Sequence, residues 1–295
     1  MKQWSGRVDG PDALRVHETV KIVPAEKLPQ GPGIALIGWE QDEGIVRNQG
    51  RAGAKDGPDA FRKAFSNLPA PMLPFFDTGN VAAQESLTNA SSAAAAKGHL
   101  SFVVGGGHDL AKGHFFGLRE AFPDKKIAIV NLDAHLDLRP GAHTSGTSFS
   151  EIQELEKERF SYTCIGLQKQ GNTEQLYKRA KAFGTQMVFA EDFFLHQGQN
   201  GRDALQQAIQ THDALYLTLC LDVIAAPFAP GVSACQPFGL LPWHVIPLLR
   251  LAASSKKLIG FDIAELSPPF DQDGTTARLA ASFAAEVLQT WIPPS

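Results

Sequence analysis

The stretch IAIVNLDAHLD, residues 127–137, decides which fold this sequence predicts. It begins as an apolar run typical of a strand buried on both faces, and then changes to Asp133, His135 and Asp137 at a spacing of two. Because alternate side chains of an extended chain share a face, these three are expected to point the same way. Two carboxylates and an imidazole at the mouth of a buried strand predict a divalent metal ion between them. The alternative is a solvated loop that follows a strand.

The rest of the chain alternates apolar strand runs with helical patterns, for example the strand runs at 34–38 and 100–104 and the alanine-rich helix at 81–97. This alternation predicts an α/β fold of three layers, αβα, with a mostly parallel central sheet. Residues 1–33 are polar and rich in turn residues, so we expect an N-terminal arm there and a single α/β domain over 34–295.

Composition excludes several classes of protein. The 27 Lys and Arg residues are outnumbered by 31 Asp and Glu residues, which argues against a nucleic-acid partner. The three cysteines do not make a disulfide framework, and no CxxC motif occurs. The sequence shows no apolar leader and no run of about 18 apolar residues, so we expect a cytoplasmic protein without a membrane partner.

Candidate ligands follow four different strand runs. His108 comes after the run at 100–104, the Asp133 cluster follows the next strand, and Asp222 and Glu265 lie at the ends of two later ones. In open parallel sheets the binding site lies beyond the carboxyl ends of the strands. The predicted fold therefore brings these separate positions together.

The glycine turn GGGHD at 105–109 has a rival interpretation as a phosphate cradle. It lacks the lysine and hydroxyl of a P-loop and the spacing of GxGxxG, which weakens that interpretation. Taken alone, His108 could also be a cap or a core histidine. We expect His114, further along the helix that follows, to lie on the surface.

Four motifs in chain order resemble the signatures of the arginase/agmatinase/formimidoylglutamase superfamily of binuclear manganese hydrolases. They are GGGHD at 105–109, NLDAHLDLR at 131–139, LDV followed by APG within 221–231, and DIAELSP at 262–268. Four further stretches are most similar to the formimidoylglutamases: WSGRVDG at 4–10, EGIVRNQGRAGAKDGPDA at 43–60, DLRPGAHTSGTSF at 137–149 and APGVSA at 229–234. The resemblance implies an arginase-like fold and two Mn²⁺ ions per subunit.

The resemblance also implies a ligand set, in which Asp133 bridges the two ions. The metal positions carried over are His108, Asp133, His135, Asp137, Cys220 and Asp222. Cys220 stands where the family usually has a bridging aspartate. Three interpretations stay open: Cys220 binds metal as a thiolate, the second ion is weakly held, or the site is degenerate. Sulfur suits zinc or copper better than manganese.

The implied reaction is hydrolysis of N-formimino-L-glutamate to L-glutamate and formamide, a step of histidine degradation, by a hydroxide held between the metal ions. Glu265 would receive the formimino group, and Asp137 or His143 would transfer a proton. His143 lies two residues before the usual position of the catalytic histidine, which is occupied here by Ser145.

Basic and amide side chains near the predicted site point to a dianionic amino-acid substrate, because arginine pairs with carboxylates in a bidentate manner. The predicted substrate contacts are Arg139, Arg47, Asn48 and Arg51. The alternatives are a sibling ureohydrolase that acts on another guanidino or formimino acid, or a metal-poor, non-catalytic subunit. The resemblance also implies a homo-oligomer.

Overall fold

Nine parallel strands form one sheet in the computed structural model, which describes residues 4–294. In chain order they are β1 (Lys21–Ile22), β2 (Gly33–Trp39), β3 (Phe75–Val81), β4 (His99–Gly105), β5 (Ile127–Leu132), β6 (Tyr162–Leu167), β7 (Gln186–Phe189), β8 (Ala214–Cys220) and β9 (Leu258–Ala264). Their order across the sheet is β1-β3-β2-β4-β9-β8-β5-β6-β7, and every neighbouring pair is parallel. The predicted α/β class with a parallel sheet is confirmed.

Helices cover both faces of this sheet. Within residues 4–294 they are α1 (Val16–Thr19), α2 (Glu43–Arg47), α3 (Gly57–Phe65), α4 (Gln84–Ala96), α5 (Leu110–Ala121), α6 (Ser148–Glu156), α7 (Glu174–Ala182), α8 (Ala190–Leu195), α9 (Gln199–Thr211), α10 (Pro242–Ser254) and α11 (Thr275–Thr290). Helices α3, α9, α10 and α11 pack on one face, and α5, α6 and α7 pack on the other. None of the helices in this part of the chain combines the length and apolar character that crossing a bilayer requires.

Strand β5 shows why the apolar runs are continuous. Ala128 and Val130 join the core cluster on one face of the sheet, whereas Ile127 and Ile129 join the cluster on the other. A strand with helices on both sides is buried on both faces, so its sequence is a nearly continuous apolar run. Each valine or isoleucine buried in this way stabilises the fold by about 1.5–3 kcal/mol.

The four strands that carry the motifs are neighbours in the middle of the sheet, in the order β4-β9-β8-β5. The register pairs Val104 with Ile263 and pairs Thr218 with both Asp262 and Asn131. Because all four strands run the same way, their carboxyl ends open onto one edge. The sequence motifs therefore meet there, although they are far apart in the chain.

The N-terminal segment adds an edge to the sheet, because β1 pairs with β3. Residues 1–3, at the start of the predicted arm, and residue 295, at the end of the predicted domain, lie outside the described residues. Strand β8 stops at Cys220, and residues Leu221–Val223 form a 3-10 turn that carries Asp222.

The expectation that His114 lies on the surface is wrong. His114 is fully buried on α5, and its Nδ1 lies 2.6 Å from Oδ2 of Asp262. Its Nε2 lies 3.1 Å from Oγ of Ser101, and the hydroxyl of Tyr216 donates to the same carboxylate oxygen at 2.6 Å. A buried imidazole is tolerated here because a carboxylate on β9 faces it.

Replacing His114 tests this buried pair. His114→Leu is expected to lower the free energy of unfolding by about 3–5 kcal/mol, because it leaves a buried carboxylate without its main partner. The exposed His196 on the surface gives the control, and His196→Leu should change stability by about 0.5 kcal/mol or less. Urea denaturation measures both. Equal effects of the two substitutions would contradict a paired role for His114.

Candidate active site

Asp133 directly follows β5 and is completely buried. Its Oδ2 accepts a hydrogen bond from Nδ2 of Asn131 at 3.0 Å, and its Oδ1 accepts one from the backbone N–H of His135 at 2.7 Å. Burial alone would raise the pKa of Asp133, but contacts with His108 and His135 outweigh it, so the pKa is lowered. The carboxylate is therefore ionised at the centre of the site.

One group of donor atoms combines His108, Asp133 and Cys220, all buried, with ligand atoms within 4.8 Å of one another. Nδ1 of His108 lies 3.0 Å from Oδ2 of Asp133 and 3.0 Å from Oδ2 of Asp137. On the other side of the ring, Nε2 lies 2.9 Å from Oγ1 of Thr218. Nδ1 is therefore the nitrogen that faces the carboxylates.

A second group combines Asp133, His135 and Asp222, again with ligand atoms within 4.8 Å of one another. Nδ1 of His135 lies 3.1 Å from Oδ2 of Asp222 and 3.5 Å from Oδ1 of Asp133. Asp133 belongs to both groups, so the two groups adjoin. The 3-10 turn after β8 keeps Cys220 and Asp222 at the same end of the sheet, one in each group.

These residues fit divalent metal ions. Nδ1 of His108 and Oδ1 of Asp222 are buried, and neither makes a hydrogen bond of ordinary geometry within residues 4–294. Burial raises the pKa of Asp137 and Asp222, and the Asp133 carboxylate raises both further. Such a concentration of negative charge is stable when cations are bound to it, and carboxylate and imidazole are suitable donors.

Glu265 lies beside the two groups, after β9. It is 6% exposed, and its Oε1 accepts a hydrogen bond from the backbone N–H of His108 at 3.1 Å. Burial, followed by the charge of Asp222, raises the pKa of Glu265 to about 8. Glu265 has φ of 68° and Asp137 has φ of 47°, conformations that non-glycine residues rarely adopt. Local backbone strain therefore accompanies two of the site carboxylates.

A cavity of about 310 Å³ opens over these residues. His108, His135, Asp137, Cys220, Asp222 and Glu265 line its floor, and Asn48, Arg51, Arg139 and Ser145 line its walls. Nη1 of Arg139 donates to Oδ1 of Asn48 at 3.1 Å, and Nδ2 of Asn48 donates to Oγ of Ser145 at 3.2 Å. The cavity thus combines an acidic floor with a guanidinium on its wall.

The three predicted arginines are placed differently. Arg139 reaches the cavity, as does Arg51, but Arg51 donates to the carbonyls of Val232 at 2.7 Å and Ser233 at 2.9 Å. Arg47 forms an ion pair with Glu43 on the surface and is not among the described residues that line the cavity. All three arginines lie near the motifs in the sequence, but this proximity did not show which of them reach the cavity.

His143 also lies away from the described lining of the cavity. Its Nδ1 is 2.7 Å from Oε1 of Glu151, and its Nε2 is 3.8 Å from Oδ2 of Asp109. These two carboxylates raise the pKa of His143 to about 9, with the contact to Asp109 as the largest cause. The loop that carries His143 also holds Arg139 and Ser145, so the contact ties this loop to α6.

Sequence reasoning missed Thr218, which supports the site, and left open whether Asn172 contacts the substrate or holds a loop in place. Thr218 is the polar residue within the apolar run ALYLTLC, and that interruption was a signal that could have been used. Asn172 accepts a hydrogen bond from the backbone N–H of Leu136 at 2.9 Å and donates to the carbonyl of Ala134 at 2.9 Å. Its amide holds the segment that presents His135 and Asp137.

The class of protein now follows from the fold and the site: the chain belongs to the arginase family, whose family model matches residues 32–289. Among curated relatives, the formimidoylglutamase of Legionella pneumophila (strain Paris) is 40% identical over 306 residues, covering 97% of this chain and 95% of that protein. The formimidoylglutamase of Chromobacterium violaceum is 40% identical over 300 residues, covering 96% of each chain.

Solved structures agree with this assignment. Trypanosoma cruzi formiminoglutamase with Mn²⁺ has a TM-score of 0.80 at 26% identity, covering 88% of this chain and 93% of that one. Formimidoylglutamase from Bacillus subtilis has a TM-score of 0.86 at 17% identity, covering 98% and 95%, and this likeness shows the fold alone. The resemblance deduced from the four motifs is confirmed, as is the arginase-like fold.

Thr218 gives a test of how His108 is oriented. Thr218→Val is expected to weaken metal binding by about 10–100-fold, because the imidazole loses the partner that holds its orientation. Calorimetric titrations of the metal-free protein with Mn²⁺ and, separately, with Zn²⁺ measure this. Thr185→Val is the control, since the buried Thr185 hydroxyl has no partner within residues 4–294. Unchanged affinity in the Thr218 variant would contradict the orienting role.

The raised pKa of His143 predicts a pH-dependent contribution to stability. Because the folded pKa of about 9 lies above the usual value of 6.5, this stabilisation is complete below about pH 6.5 and lost as the pH rises through 9. His143→Gln should therefore lower the free energy of unfolding by about 1–3 kcal/mol at pH 6 and by clearly less at pH 10. Urea unfolding at both values, with His196→Gln as control, measures the difference; a pH-independent effect would argue against it.

Proposed function

We propose that this chain hydrolyses the formimino C–N bond of N-formimino-L-glutamate, consuming one water and releasing L-glutamate and formamide. The observation that carries the proposal is the cavity, which combines adjoining carboxylate and imidazole groups on its floor with Arg139 on its wall. The relatives named formimidoylglutamase, 40% identical over nearly the whole chain, support the same substrate. In this reaction the chain acts in histidine degradation.

We propose that two divalent ions occupy the two adjoining groups, with Asp133 shared between them. His108, Asp133, Asp137 and Cys220 would hold the first ion, and Asp133, His135 and Asp222 would hold the second. When bound, the ions supply an activated water and stabilise negative charge that develops during attack. The Mn²⁺ of the Trypanosoma cruzi structure supports a metal-dependent reaction.

Glu265 is placed to bind the formimino group. Its buried carboxyl faces the cavity, and a formamidinium would make charge-assisted hydrogen bonds with it. The same buried setting raises the pKa of Glu265 to about 8, so a cationic substrate group favours the ionised carboxylate. Glu265 thereby orients the carbon that water attacks.

Asp137 is the proposed carrier of the proton. Its carboxyl lines the cavity, and its Oδ2 lies 3.0 Å from Nδ1 of His108. We assign Asp137 to protonating the departing α-amine of glutamate. His143, tied to Glu151, stays a predicted proton-transfer residue that would need the loop to move.

Arg139 is the proposed partner of a substrate carboxylate, together with Asn48 and Arg51. Arginine matches a carboxylate geometrically through two parallel hydrogen bonds. Arg47 is kept as a predicted contact, although Glu43 holds it on the surface. A guanidinium on the wall of the cavity favours a dianionic substrate over arginine or agmatine, whose tails carry no second carboxylate.

The location, the domain organisation and the assembly of the protein are also proposed. We propose a cytoplasmic enzyme with an arm over 1–33 and one catalytic domain over 34–295. The resemblance to the family supports a homo-oligomer.

Turnover tests the proposed reaction directly. The Mn²⁺-loaded protein is expected to release glutamate from formiminoglutamate and to leave arginine and agmatine unchanged, because only the first substrate offers two carboxylates to the cavity. Arg139→Gln should raise KM by about 10–100-fold with a much smaller change in kcat, corresponding to a lost charged hydrogen bond of about 1.5–3 kcal/mol. Glutamate release is measured enzymatically.

Arg159→Gln is the matched control, because Arg159 lies before β6, at the opposite edge of the sheet, with a side chain that is 56% exposed. It should leave both kinetic constants unchanged. Release of urea from arginine or agmatine would favour a sibling ureohydrolase. Absence of turnover on all three substrates, in folded and metal-loaded protein, would make a non-catalytic subunit the better explanation.

A further inference from the structure

The two donor groups differ in chemistry, and we infer that they bind different divalent ions. The group of His108, Asp133, Asp137 and Cys220 selects a thiophilic ion such as Zn²⁺ or Co²⁺, whereas the group of Asp133, His135 and Asp222 binds Mn²⁺. The inference rests on the proposed function, since it concerns the metal centre of the same site. It names the class of metal that each half of the centre takes.

The first group contains the sulfur. Cys220 is 2% exposed, at the last position of β8, and its Sγ lies within 4.8 Å of ligand atoms from His108 and Asp133. Asp137 adds an oxygen that lies 3.0 Å from Nδ1 of His108. His108, Asp133 and Cys220, whose ligand atoms lie within 4.8 Å of one another, give one nitrogen, one oxygen and one sulfur donor. Three protein donors with a further position open are typical of catalytic Zn²⁺ sites.

The second group contains nitrogen and oxygen donors only. His135 has a side chain that is 25% exposed at the cavity, whereas the side chains of the first group are more deeply buried. Carboxylate and imidazole donors without sulfur suit Mn²⁺. A thiolate ligand strongly favours softer metal ions, so one cysteine is enough to give the two donor groups different metal preferences.

A second observation points to a ligand at the sulfur-containing group. Nδ1 of His108 is buried, faces Asp133 and Asp137, and makes no hydrogen bond of ordinary geometry within residues 4–294. Thr218 holds the opposite nitrogen and so fixes this orientation. A cation bound between the imidazole and the carboxylates satisfies this nitrogen, and Cys220 completes the set after its thiol releases a proton to solvent.

Cys164 shows what a structural cysteine looks like in this chain. It is fully buried in β6, and its thiol donates to the carbonyl of His135 at 3.3 Å and lies 3.9 Å from that of Asp133. Backbone carbonyls therefore satisfy Cys164. The sulfur of Cys220 instead lies among side-chain donors that belong to the metal centre.

Cobalt provides the first readout. One equivalent of Co²⁺ added to the metal-free full-length protein is expected to produce a thiolate-to-cobalt charge-transfer band in the near-ultraviolet. Cys220→Asp, which restores the usual family residue, should remove this band while circular dichroism shows that the variant is folded. Cys235→Ser, at an exposed cysteine, is the control and should retain the band.

Metal competition provides the second readout. After equilibration with equimolar Zn²⁺ and Mn²⁺, wild-type protein should contain one of each per chain by elemental analysis. In Cys220→Asp, the preference of the first group for Zn²⁺ over Mn²⁺ should be at least about tenfold lower than in the wild type.

A missing cobalt band in the wild type, or identical metal content in the wild type and Cys220→Asp, would overturn the inference and leave Cys220 as an inert thiol. Both readouts are independent of turnover, so their failure does not bear on the proposed reaction. Conversely, an inactive protein with the band and the mixed metal content would count against the reaction alone.

Discussion

A completely buried carboxylate, Asp133, is the constraint on which the rest of this structure depends. An ionised carboxylate without partners would strongly destabilise the folded state in such a position. The surrounding groups therefore stabilise its negative charge. Asn131 and the backbone of His135 donate hydrogen bonds to it, and His108 approaches its other oxygen. Because Asp133 belongs to both donor groups, its environment couples the two halves of the metal centre.

The parallel sheet makes this concentration of charge feasible. Polar residues of the site lie at or just beyond the carboxyl ends of the four central strands, and most other positions of these strands are apolar and buried. The hydrophobic layers on both faces thus hold the acidic groups together against their mutual repulsion. Part of that cost is visible as left-handed backbone conformations at Asp137 and Glu265, which aim two carboxyl groups into the cavity.

Charge is divided between the floor and the wall of the cavity, and this division connects structure with substrate choice. The acidic floor would hold the proposed metal ions and a formamidinium, whereas Arg139 on the wall would pair with a substrate carboxylate. Arg139 and Ser145 lie on the loop that His143 ties to α6, and Asn48 hydrogen-bonds to both of them. His143, outside the described lining of the cavity, thus helps to place the wall. Cys220 makes the floor asymmetric, since sulfur is present in one donor group only.

The sequence by itself determined the fold class, because continuous apolar runs alternating with helices are stable only as a parallel sheet covered on both faces. It also indicated the donor residues, since Asp133, His135 and Asp137 occur at a spacing of two in one short motif and have side chains that bind metal ions. The tertiary structure alone decided the strand order β4-β9-β8-β5, which depends on packing between segments far apart in sequence. For the same reason the burial of His114 was not predicted: its partner Asp262 is 148 residues away, and only the folded sheet brings that carboxylate to the helix. The resemblance singled out Arg139, two residues after Asp137, but left Arg47 and Arg51 as equal candidates. Only their contacts in the folded chain, with Glu43 and with the carbonyl of Val232, distinguish those two.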